Sequence, residues 1–356
     1  MTQRSDWSPP VVCGAMFSKM FSEMAAPEGT GRAGGAAPPP ASPEPESVDQ
    51  RILMGPNGIR AGWRLLIFAA VVFVLFAIFG IVLRAVGHGK PPNLGFGYQG
   101  IIVGDGAVFG IFLLASWIMT RIERRTVGDY GLPPRKAFGK RFWQGAIIGF
   151  VAMTVLLSSL RLAGVFNFGS FALHGAAIWK YGALWGIAFL LVGFAEEYSV
   201  RGYPLFTLTT GLGFWPAAVL LSLCFGALHL GNGGESWIGA LGAGSAGFLF
   251  CFILRRTGDL WMAVGFHMSW DWAETFFYGV PDSGQIAPGH MLNPSFHGAK
   301  MLTGGSVGPE GSILCFVVLA LCWIFFHFWL PEAKYPNPAA LRAHSRLGAE
   351  QVQPSA

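Results

Sequence analysis

The sequence predicts an all-α, polytopic membrane protein of about eight transmembrane helices around a polar internal cavity, preceded by a disordered N-terminal tail. Three observations support this fold class. Of the 356 residues, 53% are hydrophobic and 12% are charged, and the mean hydropathy is +0.49, which is typical of membrane proteins. Apolar runs of about 20 residues, the length of a membrane span, recur along the chain. The few ionisable residues inside these runs are expected to face the interior of the helix bundle.

The N-terminal residues 1–60 are rich in Pro, Gly, Ala and Ser. A segment of this composition cannot bury an apolar core, so we expect it to be disordered. The helical membrane domain is predicted over 61–333, and 334–356 are expected to form a cytoplasmic C-terminal tail. The predicted spans run roughly over 62–86, 100–120, 143–164, 183–206, 214–232, 237–254, 259–279 and 311–331.

Loop charges predict the orientation of these spans. The segment 121–141, between the second and third spans, carries seven Lys and Arg residues, and cytoplasmic loops are enriched in both. The loops 87–99, 165–182 and 280–310 are poor in basic residues and are expected on the opposite side. We therefore predict a multi-pass protein of the cell membrane (an inner or plasma membrane) with both termini cytoplasmic. The net charge of +5 is explained by basic loops and does not indicate a nucleic-acid partner.

Two carboxylates and an arginine lie at the end of the fourth span, in the motif EExxxR. A charged group inside a bilayer costs roughly 2.5–3.5 kcal/mol on insertion scales, so such residues usually mark function. Glu197 and Arg201 are four residues apart and share a helix face, whereas Glu196 is rotated by about 100° from its neighbour. We predict that Arg201 neutralises Glu197 and that Glu196 stays free for chemistry.

Two further polar motifs follow on later spans. The fifth span ends with Phe225-Gly-Ala-Leu-His229, and the seventh contains His267-Met-Ser-Trp-Asp271, in which the histidine and the carboxylate are one helical turn apart. Glu274 continues the same face. We expect the following ionisable residues to converge on one internal cavity: Glu196, Glu197, His229, His267 and Asp271.

Such a cluster is suited to peptide hydrolysis by either of two routes. A carboxylate and a histidine can hold and deprotonate a water molecule, while a second histidine and a hydrogen-bonding neighbour stabilise the oxyanion. Alternatively, two histidines and a carboxylate can bind a divalent metal such as zinc, which lowers the pKa of its bound water. The residues that would bind zinc are Glu196, His229 and His267.

The motifs EExxxR, FxxxH and Hxxx(D/N), each on its own span, resemble those of the CAAX-prenyl-protease and bacteriocin-processing (CPBP, or CAAX protease/ABI) intramembrane protease family. The resemblance covers about residues 180–280. It implies a glutamate- or metal-dependent endopeptidase that cleaves a membrane-associated protein or peptide, in the prenylated-protein branch near a lipidated C-terminal cysteine. By that resemblance Glu196 would activate water with His229 as its partner. His267 and Asp271 would stabilise the oxyanion or complete a metal site.

Asp271 stands where some family members have Asn. An asparagine can only hydrogen-bond, whereas an aspartate adds a charge. The added charge makes a metal ligand easier to envisage, and it makes an oxyanion donor harder to envisage unless the carboxyl group is protonated.

Two other functions are compatible with buried carboxylates. A proton- or cation-coupled transporter uses such groups, although no broken-helix segment in the first half matches one in the second, as inverted repeats would require. A catalytically silent membrane scaffold or immunity protein is the third hypothesis, and the intact motif residues argue against it. A catalytic pair of Ser245 and His267 is disfavoured because it would leave Glu196 and Glu197 without a role.

Two remaining features of the spans concern packing and an unexplained charge. Gly239, Ala243 and Gly247 are spaced four residues apart and predict a small-residue stripe for close helix packing. Asp105, in the second span, is a polar group to which the sequence assigns no partner.

Overall fold

A computed structural model describes residues 53–55, 58–86 and 97–336. Most of the predicted N-terminal tail, 1–60, and most of the predicted C-terminal tail, 334–356, therefore lie outside the described residues.

The described chain is mostly helical, as the sequence predicts. One 11-residue α-helix, Trp261–Asp271, passes directly into a seven-residue π-helix, Trp272–Tyr278. The α-helices are α1 (Ala61–Val86), α2 (Tyr98–Glu123), α3 (Lys140–Leu162), α4 (Ala176–Arg201), α5 (Tyr203–Leu212), α6 (Phe214–His229), α7 (Trp237–Thr257), α8 (Trp261–Asp271), α9 (Lys300–Thr303) and α10 (Ile313–Trp329).

Each of the eight predicted spans has a helical counterpart, but these helices differ in length. In the described part of the chain, five segments are long and apolar enough to cross a membrane: α1, α2, α3, α4 with α5, and α7. The apolar helices α6 and α10 have 16 and 17 residues, about 25 Å of rise, which is less than the ~30 Å hydrocarbon core. The chain is a multi-pass membrane protein, and the count of eight crossings stays a prediction.

Two small two-stranded sheets, which the sequence does not predict, accompany the helices of the predicted all-α fold. Strands β1 (Met54–Gly55) and β2 (Gly58–Ile59) pair with each other, and β3 (Phe166–Phe171) pairs antiparallel with β4 (Leu292–Phe296). The segments that form β3 and β4 are predicted as loops, because their pairing joins residues more than 100 positions apart and leaves no local signal. Gly169, with φ +71°, lies where the register of β3 shifts, as in a β-bulge.

The helix that carries two of the predicted site residues, α8, packs along α3 with little space between the backbones. A Cβ atom at Gly145 would overlap the carbonyl oxygen of Met262, and a Cβ at Gly149 would overlap that of Phe266. Glycine lets the two helices approach this closely, as small residues commonly do in membrane bundles. This contact fixes the position of α8, which carries His267 and Asp271.

We expect Gly149→Leu to destabilise the protein by at least ~2–3 kcal/mol, because the new side chain must push α8 away from α3. The measurement is the thermal unfolding midpoint of the detergent-purified protein. Gly110→Ala on α2 is the matched control, since a Cβ there meets nothing within 4 Å. An unchanged midpoint for the leucine variant would show that the two helices do not pack in this way.

Helices α6 and α7 also make a close contact through small residues, although not through the stripe predicted from the sequence. Gly226 of α6 lies against Ala240 and Gly244 of α7, on the face adjacent to that stripe. Gly247, a member of the predicted stripe, instead lies against the guanidinium group of Arg201. Its missing side chain therefore makes room for a site residue.

Candidate active site

The ion pair predicted on α4 is present and is fully buried next to the site. Arg201 Nη1 donates to Glu197 Oε1 at 2.8 Å, and both side chains are 0% exposed. The guanidinium carbon lies 4.2 Å from the ring centroid of Phe225 and 5.7 Å from that of Phe250. Cation–π contact with two rings further compensates the buried charge. Glu197 is thus held in place and is not exposed to the pocket described below.

His267 joins this pair to the two other carboxylates. Its Nδ1 lies 2.9 Å from Glu197 Oε1, and since an ionised carboxylate can only accept, Nδ1 carries the hydrogen and donates. The ring stacks on Phe250 at a centroid distance of 5.1 Å. The other nitrogen, Nε2, lies 3.5 Å from Glu196 Oε2 and 3.5 Å from Asp271 Oδ2. Nε2 therefore faces the polar groups that remain available.

His229 is oriented by its own helix. Its Nδ1 lies 2.9 Å from the carbonyl oxygen of Phe225, one turn earlier on α6. A carbonyl oxygen can only accept, so Nδ1 donates and the neutral ring keeps a lone pair on Nε2. The ring of Phe225 packs edge-on against the imidazole at a centroid distance of 4.5 Å. Phe225 thus positions the histidine as well as covering the arginine.

One pocket of about 260 Å³ is lined by ionisable side chains from α4, α6 and α8. The Glu196 side chain is 31% exposed, in contrast to the fully buried Glu197. Asp105 of α2, unexplained by the sequence, lines the same pocket. Four of the predicted residues line it: Glu196, His229, His267 and Asp271.

A larger cavity of about 960 Å³ lies between α6, α7 and α10. Its walls are almost entirely apolar and include Phe248 and Trp323, and no ionisable side chain lines it. Hydrolytic chemistry requires groups that transfer protons or bind a metal, so the smaller, polar pocket is the candidate active site.

Three acidic residues outside the motifs meet beside the pocket, and one of them, Glu274, continues the predicted polar face of the seventh span. Asp282 and Glu310 line the pocket, and each of the three offers an oxygen within 4.8 Å of the others. Burial and the Glu310 carboxylate raise the pKa of Asp282 from 3.8 to about 7. Among the described residues this trio, and not the predicted zinc set, brings its potential metal ligands this close together. No pattern in the sequence pairs these loop residues with the π-helix.

The comparisons with known proteins agree with the motifs. Residues 178–273 match the family model described as type II CAAX prenyl endopeptidase Rce1-like. The matched interval contains all three motifs and ends just before Glu274. No curated protein and no solved structure matches the chain. The resemblance to the CPBP family is therefore confirmed over this interval: residues 178–273 are similar to the type II CAAX prenyl endopeptidase Rce1-like family.

Proposed function

We propose that this protein is an intramembrane endopeptidase that hydrolyses a peptide bond in a membrane-associated protein or peptide. One observation carries the proposal. Side chains from α4, α6 and α8, all within the Rce1-like interval, line a single pocket, and Glu196 Oε2 lies 3.5 Å from His267 Nε2. Ionisable residues placed together inside a membrane bundle usually serve a reaction or a transport path, and the family match favours the reaction.

Glu196 is the general base in this proposal. Its neighbour Glu197 is paired with Arg201 and His267, whereas the carboxylate of Glu196 is partly exposed at the pocket wall. Glu196 takes a proton from a water molecule, and the lone pair on His229 Nε2 accepts a hydrogen bond from the same water. The water oxygen then bonds to the carbonyl carbon of the substrate, and the π electrons of the C=O bond move to the oxygen.

His267 and Asp271 stabilise the oxyanion that results. His267 is doubly protonated in this proposal, with Nδ1–H donating to Glu197 and Nε2–H donating to the oxyanion. A protonated Asp271 is the second donor, in the position that asparagine takes in other family members. Preorganised donors of this kind contribute about 3–4 kcal/mol each in hydrolases. When the intermediate collapses, the C–N bond breaks and Glu196 returns its proton to the leaving amine. Glu197 acts as a positioning residue, since it fixes Nδ1 of the same imidazole.

Zinc bound by Glu196, His229 and His267 remains the alternative route. Two imidazoles and a carboxylate are ligands that zinc accepts, and the ion would act as a Lewis acid on the water. These three residues are not among the described groups whose ligand atoms lie within 4.8 Å of one another. The arrangement therefore offers zinc no preassembled site. Elemental analysis of the purified protein decides the point: one zinc per chain supports this route.

The chemistry assigned to Asp271 predicts different results for two substitutions. Asp271→Asn keeps a hydrogen-bond donor and should retain activity within about tenfold, whereas Asp271→Ala should lower kcat by roughly 10²–10³-fold, the usual effect of losing one oxyanion donor. Both are measured as cleavage of one peptide substrate at saturation. If the asparagine variant is as inactive as the alanine variant, Asp271 acts through its charge and the assignment is wrong.

The proposed activity is tested with purified protein in proteoliposomes. The substrates are a peptide ending in a prenylated cysteine and the same peptide without the prenyl group, and products are identified by mass spectrometry. Cleavage that is lost in His267→Ala supports the proposal. A folded protein that cleaves neither peptide nor a broad peptide library contradicts it, and ion or proton flux through the same liposomes would then favour a transporter.

A further inference from the structure

Three carboxylates that the proposed hydrolysis does not use, Glu274, Asp282 and Glu310, meet beside the pocket from three separate elements. We propose that they bind one hard divalent cation, Ca²⁺ or Mg²⁺, and that this ion fastens the segment 280–310 to the end of α8. The inference concerns residues beyond the Rce1-like interval, and it stands whether or not the protein is a protease.

The geometry suits one ion. Glu274 lies in the π-helix, Asp282 in a turn closed by its pairing with Gln285, and Glu310 in the short turn Pro309–Gly311. One oxygen from each lies within 4.8 Å of the other two. An ion at the centre of three oxygens with these separations is at most about 2.8 Å from each, close to the 2.3–2.6 Å of Ca²⁺ coordination, so small side-chain rotations bring all three into contact with one ion. A π-helix is also a frequent mark of a functional position.

Glu274 is the observation that distinguishes this cluster from a merely acidic patch. Its side chain is fully buried, with a relative exposure of 0%, and neither carboxylate oxygen has a hydrogen-bond partner among the described residues. A buried carboxylate without a partner is costly. The other two members of the trio are also carboxylates, and they repel Glu274 when they are ionised. A cation at their centre removes both costs.

Hydrogen bonds from nearby elements already orient the other two carboxylates, Asp282 and Glu310. Asp282 Oδ2 accepts from the hydroxyl of Thr275 at 2.8 Å. Glu310 Oε1 accepts from Trp270 Nε1 at 3.0 Å. Glu310 Oε2 also accepts, from the hydroxyl of Ser283 at 3.4 Å. Both carboxylates therefore keep a fixed orientation, as ligands of bound metals usually do, and each of their oxygens retains a lone pair for a cation.

The ligand chemistry selects the class of ion. All donors in the trio are oxygens, which Ca²⁺, Mg²⁺ and Mn²⁺ prefer, whereas zinc and copper favour sites that include nitrogen or sulfur. Asp271 is one turn before Glu274, so an ion here would also hold the end of α8, which carries the proposed oxyanion donor Asp271.

The competing explanation for the trio is that two of the carboxylates share a proton and bind no ion.

The test uses the full chain, purified in detergent, treated with EDTA and freed of chelator. Binding of Ca²⁺ and of Mg²⁺ is measured by calorimetry, and thermal unfolding is followed with each ion and with EDTA. We expect saturable binding of one ion per chain and a midpoint raised by about 5 °C at 100 times the dissociation constant. Absence of saturable binding by both ions overturns the proposal and leaves proton sharing as the explanation.

Glu274→Gln separates the two explanations further. In EDTA this variant should unfold at or above the wild-type midpoint, because an amide replaces an uncompensated charge, and it should lose the shift caused by the ion. Glu310→Gln is the second variant, in case the first does not fold. Glu332→Gln, an exposed carboxylate after α10, is the control and should bind like the wild type. Unchanged binding by the folded Glu274 or Glu310 variant would overturn the assignment. None of these readouts depends on peptide cleavage.

Discussion

Glu196→Gln is expected to lower peptide hydrolysis by about 10³-fold or more while the protein stays folded. An amide has nearly the shape of the carboxylate but cannot take a proton from water, and general-base catalysis alone contributes 10²–10⁴-fold. The Glu196 side chain is partly exposed at the pocket wall, so the substitution leaves no buried charge without a partner. The measurement is single-turnover cleavage of a peptide in proteoliposomes, with the unfolding midpoint as a check on folding.

Ser245→Ala is the control for this experiment. Ser245 lies on α7, and its hydroxyl donates to the carbonyl oxygen of Leu241 at 2.8 Å. It lines the apolar cavity and not the candidate site, so its removal should leave hydrolysis unchanged. Full activity in the Glu196 variant, or loss of activity in the serine variant alone, would contradict the assignment of the base.

Arg201→Met should cause the largest loss of stability, about 3–5 kcal/mol, because it leaves Glu197 charged and buried without its cation. The pair is fully buried at 2.8 Å, so water cannot take the place of the guanidinium. The free energy of unfolding is measured by denaturant titration in detergent. The double variant Glu197→Gln/Arg201→Met should recover much of the loss, since it removes both charges.

The exposed Arg161, near the end of α3, supplies the control. Arg161→Met should change the free energy of unfolding by no more than about 0.5 kcal/mol, as surface substitutions usually do. If the double variant is no more stable than Arg201→Met, the cost comes from lost packing against Phe225 and Phe250 and not from the uncompensated carboxylate.

Contacts between side chains of one helix can be predicted from the sequence. The spacing of four residues predicts that Glu197 and Arg201 share a helix face, and the two side chains are indeed paired. The same spacing predicts the proximity of His267 and Asp271, which lie 3.5 Å apart. Helical periodicity decides such pairs locally, so they need no knowledge of the tertiary fold.

Contacts between helices depend on rotation and depth, which periodicity does not determine. The hydrogen bond from His267 to Glu197 is one example, because the sequence associates His267 equally well with Glu196. The trio of Glu274, Asp282 and Glu310 is another, since two of its members lie in loops that fold back on the bundle. Their proximity follows from the tertiary fold and has no local signal.

The lengths of the helices were also only partly predictable. Hydropathy locates a helix for each of the eight predicted spans, but it misses the short helix α9, and α6 and α10 are shorter than a typical span. Hydropathy likewise does not reveal the pairing of β3 with β4, which joins remote segments through backbone hydrogen bonds.

The most direct test of the central claim is a double-mutant cycle between Glu196 on α4 and His229 on α6. In the proposed mechanism both side chains act on one water molecule. Residues that act as a unit have strongly non-additive effects on catalysis. Cleavage of one peptide is measured for Glu196→Gln, His229→Ala and the double variant over long incubations. The account predicts that the double variant cleaves about as fast as the slower single variant. Losses that multiply would show that the two residues act independently and would contradict a shared water.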